Sequence, residues 1–357
     1  MEITSALQDT TAAVMSVAGL AVAASVDLPD LVRLVPTVLE LLPGRSLGPL
    51  LSTNTRLPQL VQEFVTRIKL PHGGGPTLAD LELVAAITWP RLQALQVQDA
   101  RYQLEWWPPS KDWMSLKHLN LHLSNLNATG MQQLRARPLP HLLSFELSWG
   151  HLDTARITQL TKPDWPLLTS LDLYGNNLDE AALQQLCGAS WPRLQKLNLG
   201  WNNLGPAAMS WLVNANWPIL QSLDLGNNQL TATGLEILLT GPWTLLEDLK
   251  MNENYIQDIQ MPEVQTRHFV GSVALEQKGQ ACVPRLARGC WPNMTHLSME
   301  RCCLDAAALE RLAWADWPQL KSLNLDYGGR DPASAQQLVR GAWPLLRELS
   351  CYNFGTS

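Results

Sequence analysis

The 357-residue chain lacks the features that mark several large classes of protein. It has 26 Lys and Arg against 32 acidic residues, and this net charge of -6 argues against general nucleic-acid binding, which needs a basic stripe, and against binding to anionic membranes. It has no apolar run of about 18 residues, which a membrane-spanning helix needs. No Lys or Arg precedes Arg33, whereas a secretory leader has a positive start. We therefore expect a cytoplasmic protein, with the nucleus as the alternative, that binds neither nucleic acid nor membrane.

Cysteine is scarce as well, with six residues and no Cys-x-x-Cys pair. Most of the cysteines fall at core positions of a repeat described below, and Cys302 occupies the turn position that holds Asn176 in another unit. We expect buried free thiols in a reducing compartment rather than disulfides or a zinc site.

Motifs of catalysis are also missing. Ser148-Trp149-Gly150 lacks the first Gly of a nucleophile elbow, and the Gly-rich residues 73–75 lack the Lys-Ser/Thr step of a phosphate loop. His118 and His122 are four residues apart on a predicted strand, about 13 Å by strand rise, which is too far for one ion. We therefore expect no enzyme active site, no cofactor and no metal.

What the chain has in abundance is a repeat marked by tryptophan. The unit that begins at Trp191 reads Trp-Pro-x-Leu-x-x-Leu-x-Leu-x-x-Asn-x-Leu, and a fixed period of this length predicts a solenoid. The frame resembles the leucine-rich repeat, in particular the long units of the ribonuclease-inhibitor-like type, which implies a strand, a turn and a helix in each unit. Seven tryptophans set the register in two groups with a step of 26 residues: Trp165, Trp191, Trp217, Trp243, Trp291, Trp317 and Trp343.

The residues of each unit support these three elements independently. Leu171-Asp172-Leu173 alternates as a half-buried strand does, and the Asn176 side chain can satisfy backbone groups in the turn. Asp179, Asp305 and Asp331 stand where a helix N-cap belongs. The Trp-Pro pair is expected to end the helix, because the residue before a proline disfavours helical geometry.

The predicted fold class is α/β, a leucine-rich-repeat solenoid over residues 78–357 with a curved parallel sheet inside and helices outside. The tryptophans are expected to stack as a structural ladder. The step from Trp243 to Trp291 is longer, and we interpret residues near 257–280 as an insertion, with a degenerate extra repeat as the alternative. About ten 26-residue units give strands centred near residues 96, 120, 146, 172, 198, 224, 250, 298, 324 and 350.

Residues 28–70 do not follow the repeat and predict a small helical module, after a disordered or weakly helical tail at 1–27 and before a Gly/Pro linker at 71–77. The module opens with Leu28-Pro29, continues with an aliphatic helix over 38–42, breaks at a Pro-Gly pair and ends in a second helix. This order resembles an F-box. The alternative is an ordinary helical cap that covers the first repeat.

The F-box resemblance implies both a partner and a function. An F-box followed by leucine-rich repeats acts as the substrate receptor of a cullin-type ubiquitin ligase, and the repeats capture the substrate. The alternative is a general leucine-rich-repeat binding or scaffold protein, inhibitor-like, without a ubiquitin role. In the first case the F-box adaptor would contact Leu39, Leu42, Leu47 and Leu51.

The face of the sheet opposite the core is the predicted site for a protein partner. Residues two apart share one face of a strand, so the polar residues that flank each buried leucine point to the concave side. Exposed Tyr and Trp residues mixed with acids favour an interface over a merely solvated face. The candidate residues are His118, Asn120, Glu146, Trp149, Asp172, Tyr174, Asn198, Trp201, Asp224, Lys250, Glu253, Glu300, Arg301, Asp326 and Tyr327.

The last predicted unit has no helix after its strand, which leaves a sheet edge without a neighbour. A bare edge invites pairing with another chain. The sequence therefore predicts one of two arrangements, a short cap formed by Tyr352 and Phe354 or self-association through the C-terminal sheet edge.

Overall fold

The chain divides into two compact units, Met1–Leu142 and Leu143–Ser357. The tail at 1–27, the linker at 71–77, the insertion near 257–280 and the adaptor-binding candidates Leu39, Leu42, Leu47 and Leu51 lie outside the described residues. The computed structural model describes residues 66–70, 89–97, 113–124, 126–136, 138–162, 165–238, 240–254, 291–302, 304, 309, 312–313, 317–328, 336, 338, 340–341 and 343–352.

Short parallel strands recur along both units, and within each unit every strand pairs with the next one in sequence. The ten predicted strand positions are confirmed as β2 to β11. The first unit contains β1 (Arg67–Leu70), β2 (Ala94–Val97) and β3 (His118–Asn120). The second contains β4 (Ser144–Glu146), β5 (Ser170–Asp172), β6 (Lys196–Asn198), β7 (Ser222–Asp224), β8 (Asp248–Lys250), β9 (His296–Ser298), β10 (Ser322–Asn324) and β11 (Glu348–Ser350).

β1 is a strand that the repeat frame does not reveal. The sequence predicts a helical module up to residue 70, but Arg67–Leu70 pairs in parallel with Ala94–Val97, so the helical prediction is wrong for these residues. The segment has no Leu-x-Leu frame, yet Ile68 is buried between the exposed Arg67 and Lys69, as the alternation of a strand requires. β1 and β2 therefore belong to one sheet.

The longest step of the repeat lies between β8 and β9. Asp248 is in register with His296 and Leu249 with Leu297, so these two strands are immediate neighbours although 48 residues separate them in sequence. β8 and β9 are therefore consecutive strands of the sheet, and residues 255–290 between them lie outside the described part of the chain.

Helices connect the strands, and side-chain caps explain where several of them begin. The described helices are α1 (Ala128–Arg135), α2 (Thr154–Leu160), α3 (Glu180–Cys187), α4 (Ala208–Leu212) and α5 (Ala232–Leu238), and a single 3₁₀ turn spans Trp113–Ser115. The predicted N-cap Asp179 accepts the backbone N–H of Ala182 at 2.9 Å, and Asn127 and Asp153 cap α1 and α2 in the same way. The other predicted caps, Asp305 and Asp331, lie outside the described residues.

The Trp-Pro pairs start a turn rather than end a helix. α3 ends at Cys187, four residues before Trp191, so the predicted helix stop is wrong. The Trp191 carbonyl accepts the N–H of Leu194 at 3.1 Å, and most other units repeat this bond. Proline fits the second position of such a turn because its fixed φ is already that of the turn. The pair therefore directs the chain into the next strand.

Tryptophan and leucine side chains build the core, as the sequence predicts. Trp165 and Trp191 stack with ring centroids 6.5 Å apart, and Trp191 stacks on Trp217 at the same distance. Trp317 and Trp343 form a similar pair at 6.4 Å. The central leucine of each strand from β5 to β10 is buried beside this ladder. The tryptophans therefore act in packing, which a large apolar ring per repeat supplies efficiently.

A second ladder, of asparagines, joins consecutive turns. Asn176, Asn202, Asn228 and Asn254 are all buried, and each side-chain amide donates to the carbonyl three residues before it, at 2.9–3.0 Å. Cys302 takes the equivalent position, where its thiol donates to the Met251 carbonyl at 3.0 Å. The predicted roles of Asn176 and Cys302 as turn residues are therefore confirmed. In the described part of the chain, no helix is long and apolar enough to cross a membrane.

Candidate functional site

All the candidate binding residues except His118, which begins β3, fall at three recurring positions at or just after the strand ends. His118 and Asn120 lie on β3 in the first unit, and the other candidates belong to the second unit. Glu146, Asp172, Asn198, Asp224 and Lys250 end strands β4 to β8. Tyr174, Glu300 and Asp326 follow a strand end by two residues, and Trp149, Trp201, Glu253, Arg301 and Tyr327 follow one by three.

The position three residues after the strand end, which we call the turn row, has an unusual backbone. In every described repeat from β3 to β10 its φ is positive: Leu123, Trp149, Gly175, Trp201, Asn227, Glu253, Arg301 and Tyr327. Glycine and asparagine adopt this left-handed conformation readily, whereas bulky residues do so at a cost of about 1–2 kcal/mol. Bulky side chains in such strained positions concentrate at functional sites.

Several of the strand-end residues are occupied by their own turns. The side-chain oxygens of Asp172, Asn198 and Asp224 accept backbone N–H groups two residues later at 2.9–3.0 Å. Asn120 does the same at 3.0 Å, and Asn198 also donates to Asp172 at 2.9 Å. These residues shape the turns, so the candidate residues whose side chains are not used in this way lie mainly in the turn row.

Three rings of the second unit form what we call the aromatic cluster: Trp149, Tyr174 and Trp201. The ring centroid of Trp149 lies 5.6 Å from Tyr174 and 5.7 Å from Trp201, and Tyr174 lies 6.3 Å from Trp201. Trp149 and Trp201 are two repeats apart, and the turn-row residue between them is Gly175. A Cβ at Gly175 would lie 2.6 Å from the Trp149 ring, so the absence of a side chain there lets the rings meet.

Three carboxylates act on the Tyr174 side of the aromatic cluster. Burial and the nearby charges of Asp224, Glu253 and Asp172 raise the pKa of the Tyr174 hydroxyl above its usual value. Burial also raises the pKa of Asp224, against the opposing effects of its hydrogen bond from Gly226 and of Lys250. The Lys250 ammonium stands 4.0 Å from the Asp224 carboxylate and is half exposed. The rings therefore lie in a negative electrostatic environment.

A second group, the arginine–tyrosine cluster, consists of Glu253, Arg301, Tyr327 and Tyr352. The Arg301 guanidinium lies 5.2 Å from the centre of the Tyr327 ring and bonds to Glu253 at 2.9 Å. Tyr327 meets Tyr352 edge to face with centroids 5.6 Å apart. Tyr327 and Tyr352 are 40% and 64% exposed. The cluster is a preformed surface of charged and aromatic groups at β8 to β11.

The remaining candidates lie away from these clusters or are tied to them by short bonds. His118 is largely exposed on β3, and the partial loss of solvent around its ring together with the charges of Arg67 and Lys117 lowers its pKa. Glu146 accepts the Ser148 hydroxyl at 3.0 Å, Glu300 lies 3.8 Å from Arg301, and Asp326 accepts the Ser350 hydroxyl at 2.6 Å. Among the described residues, no group of three or more His, Cys, Asp or Glu is placed to hold a metal ion.

The sequence predicts every member of the two clusters except Tyr352, and it does not predict their contacts. Tyr352 has no place among the binding candidates, although it packs on Tyr327. The repeat period could have revealed the contact between the rings, because Trp149, Gly175 and Trp201 follow one another in steps of 26 residues at the same position of the repeat. A glycine between two tryptophans at equivalent positions indicates a ring contact across it.

Comparisons with known proteins agree with the repeat. The "Leucine Rich repeat" family matches residues 193–211 and 218–238. An internalin from Listeria monocytogenes is 17% identical, with a TM-score of 0.43 and 83% of each chain covered. The leucine-rich-repeat-containing protein LegL7 from Legionella pneumophila is 15% identical, with a TM-score of 0.41, 72% of this chain and 82% of that chain covered. No curated protein matches the chain.

The chain therefore carries leucine-rich repeats, and its fold is an α/β leucine-rich-repeat solenoid with a parallel sheet and connecting helices. Repeats of this kind are protein-interaction modules, which agrees with the predicted class of function.

Proposed function

We propose that this protein captures a protein partner on the turn row of its second unit, through the aromatic cluster and the arginine–tyrosine cluster. The observation that carries the proposal is the placement of Trp149, Trp201 and Tyr327 at positive φ. Trp201 and Tyr327 are 47% and 40% exposed, although burying them would stabilise the fold. Large rings held on a strained and therefore well-defined backbone are typical anchors of an interface.

The test is affinity capture with the full-length chain as bait. Trp201→Asn removes the ring and keeps the backbone, because Asn227 adopts the same conformation in the next repeat. Trp211→Ala is the matched control, since Trp211 is also exposed but lies on α4. We expect quantitative mass spectrometry to show partners that Trp201→Asn loses and Trp211→Ala keeps. Identical sets of captured proteins from the wild type and both variants would disprove the proposal.

The finer proposal is that the captured partner is the substrate of a cullin-type ubiquitin ligase. Its support is the F-box-like order within residues 28–70 and the leucine-rich repeats that follow it in the chain. The adaptor that links F-box proteins to the cullin would contact Leu39, Leu42, Leu47 and Leu51. The free thiols of Cys187 and Cys351 suit the cytoplasmic or nuclear location that this role needs.

Calorimetry of the full-length chain with the F-box adaptor tests this finer proposal. We expect binding that Leu42→Asp and Leu47→Asp abolish and that Trp201→Asn leaves unchanged, because the adaptor and the substrate would use separate surfaces. If the adaptor does not bind the wild-type chain, the ubiquitin role is wrong. The protein is then a general leucine-rich-repeat binding or scaffold protein, and capture on the turn row is unaffected.

A further inference from the structure

We propose that the aromatic cluster binds a cationic side chain, an arginine in a basic segment of the partner. This inference rests on the proposed function, because it names the chemistry of the partner that docks on the turn row. A guanidinium is attracted to the negative face of an aromatic ring within about 6 Å of its centre. Trp149, Tyr174 and Trp201 offer three such rings at one place.

The mutual tilt of the rings suits a planar cation. The interplanar angles are 76° between Trp149 and Tyr174, 53° between Trp149 and Trp201, and 43° between Tyr174 and Trp201. Rings inclined in this way form a corner rather than a flat stack, so one guest can contact more than one ring. Gly175 and Gly200 provide the room, since an added Cβ would lie 2.6 Å from Trp149 and 3.0 Å from Tyr174, respectively.

The charges beside the rings select a cation over a neutral guest. Asp172 uses its two oxygens for the Tyr174 N–H and the Asn198 amide, both neutral donors, so these bonds leave its negative charge uncompensated. Asp224 has Lys250 as a partner, but at 4.0 Å and with a half-exposed ammonium. An exposed pair at that distance is weak, so a guest cation adds attraction that the chain itself does not supply.

The arginine–tyrosine cluster already contains the kind of contact that we propose for the aromatic cluster. Arg301 lies on the Tyr327 ring and bonds to Glu253, so a guanidinium, an aromatic ring and a carboxylate meet at turn-row positions. Beside the aromatic cluster, the turn-row residue one repeat before Trp201 is Gly175, which has no charged side chain. Within the described residues no guanidinium or ammonium lies over Trp149, Tyr174 or Trp201. A partner arginine would therefore make there the contact that Arg301 makes within the chain.

The test uses a six-arginine peptide and a six-citrulline peptide of the same length, which keeps the planar end group and removes the charge. Calorimetry with the full-length chain is expected to detect the arginine peptide only. Trp201→Asn is expected to weaken that binding at least about tenfold, while Trp211→Ala leaves it unchanged. Asp172→Asn, which keeps an acceptor for the Tyr174 N–H, is expected to weaken it as well.

Three results would overturn the inference. The first is that Trp201→Asn and Trp211→Ala weaken binding of the arginine peptide equally, or that neither variant weakens it. Either outcome means that the peptide is attracted to an acidic protein in general. The second is that the citrulline peptide binds with the same affinity as the arginine peptide. The third is that the chain binds a neutral oligosaccharide and neither peptide.

The same experiments distinguish failure of this inference from failure of the proposed function. If Trp201→Asn loses captured partners while the arginine peptide does not bind, only the cationic inference is wrong. If the peptide binds through Trp201 but captured proteins do not depend on it, only the proposed function is wrong.

Discussion

Asn176 and Asn202 connect neighbouring repeats through a single side chain, because the Asn202 amide oxygen accepts the backbone N–H of Asn176 at 3.1 Å. The same oxygen accepts the N–H of Leu178 at 2.9 Å. The Asn202 amide nitrogen donates to the carbonyls of Leu173 and Leu199 at 3.1 and 2.9 Å. One buried amide thus satisfies backbone groups of two consecutive turns, and no other side chain of its size has both donors and acceptor in this geometry.

Asn202→Ala is therefore expected to destabilise the protein strongly. It leaves several buried backbone groups without partners, each at a cost of about 1–3 kcal/mol, so we expect a loss of at least about 3 kcal/mol. Urea unfolding followed by circular dichroism measures it. Asn203→Ala is the matched control, since Asn203 is exposed, and should change stability by less than about 0.5 kcal/mol. Equal effects of the two variants would contradict the ladder.

Gly175 permits the contact between Trp149 and Trp201. Gly175→Ala places a Cβ 2.6 Å from the Trp149 ring, at a φ of 70°, so both the ring and the backbone must shift. We expect a stability loss of about 2 kcal/mol and a changed near-ultraviolet circular dichroism spectrum. Gly205→Ala is the control, because an added Cβ there meets nothing within 4 Å. An unchanged spectrum for Gly175→Ala would mean that the rings do not depend on this glycine.

Cys187 should be an inert thiol. It is partly buried on α3, and burial raises its pKa to about 12, so almost no thiolate forms near neutral pH. In native protein at about pH 8, iodoacetamide should modify Cys187 at least two orders of magnitude more slowly than in denatured protein. Peptide mass spectrometry gives both rates. Similar rates in the two states would show that the helix does not protect the thiol.

Asp224 predicts a pH dependence of stability. Burial raises its folded-state pKa, so the folded protein binds a proton there more readily than the unfolded chain does. Its stabilising contribution is therefore present at low pH and is lost as the pH rises through the folded pKa. Asp224→Asn keeps an acceptor for Gly226 and removes the charge. We expect the variant to be at least as stable as the wild type near pH 7 and to have lost that advantage by the time the pH has fallen to about 4, the usual pKa of an aspartate in the unfolded chain. A constant difference across this range would refute the prediction.

The sequence predicts the repeat because each unit repeats the same burial pattern. The strand leucines, the Asp179 cap and the stacked tryptophans follow from local residue types and one period. The sequence does not predict β1, because Arg67-Ile68-Lys69 has one buried side chain and no leucine frame. The Trp-Pro pair misleads because proline disfavours a preceding helix and also favours the second position of a turn, and here the turn forms. The aromatic cluster needs the left-handed backbone of the turn row, which no single residue type along it reveals.

β11 leads to the last prediction, self-association through the sheet edge. Leu349 is 49% exposed, whereas Leu323, its partner in register on β10, is fully buried. Within the described residues β10 is the only strand that pairs with β11, and this part of the chain places no second strand beside the exposed Leu349. We expect light scattering to show a molecular mass that rises with concentration, because such an edge can pair with a second copy.

Leu349→Lys should return the protein to a monomer, since a lysine on an edge strand opposes pairing. Leu245→Lys is the matched control, because Leu245 is 38% exposed but lies in the turn before β8, and it should associate as the wild type does. If the wild type stays monomeric at high concentration, edge pairing is wrong. The cap formed by Tyr352 and Phe354 then becomes the alternative. Tyr352 already packs on Tyr327, so Phe354→Ala should in that case lower the stability, and an unchanged stability would remove the cap as well.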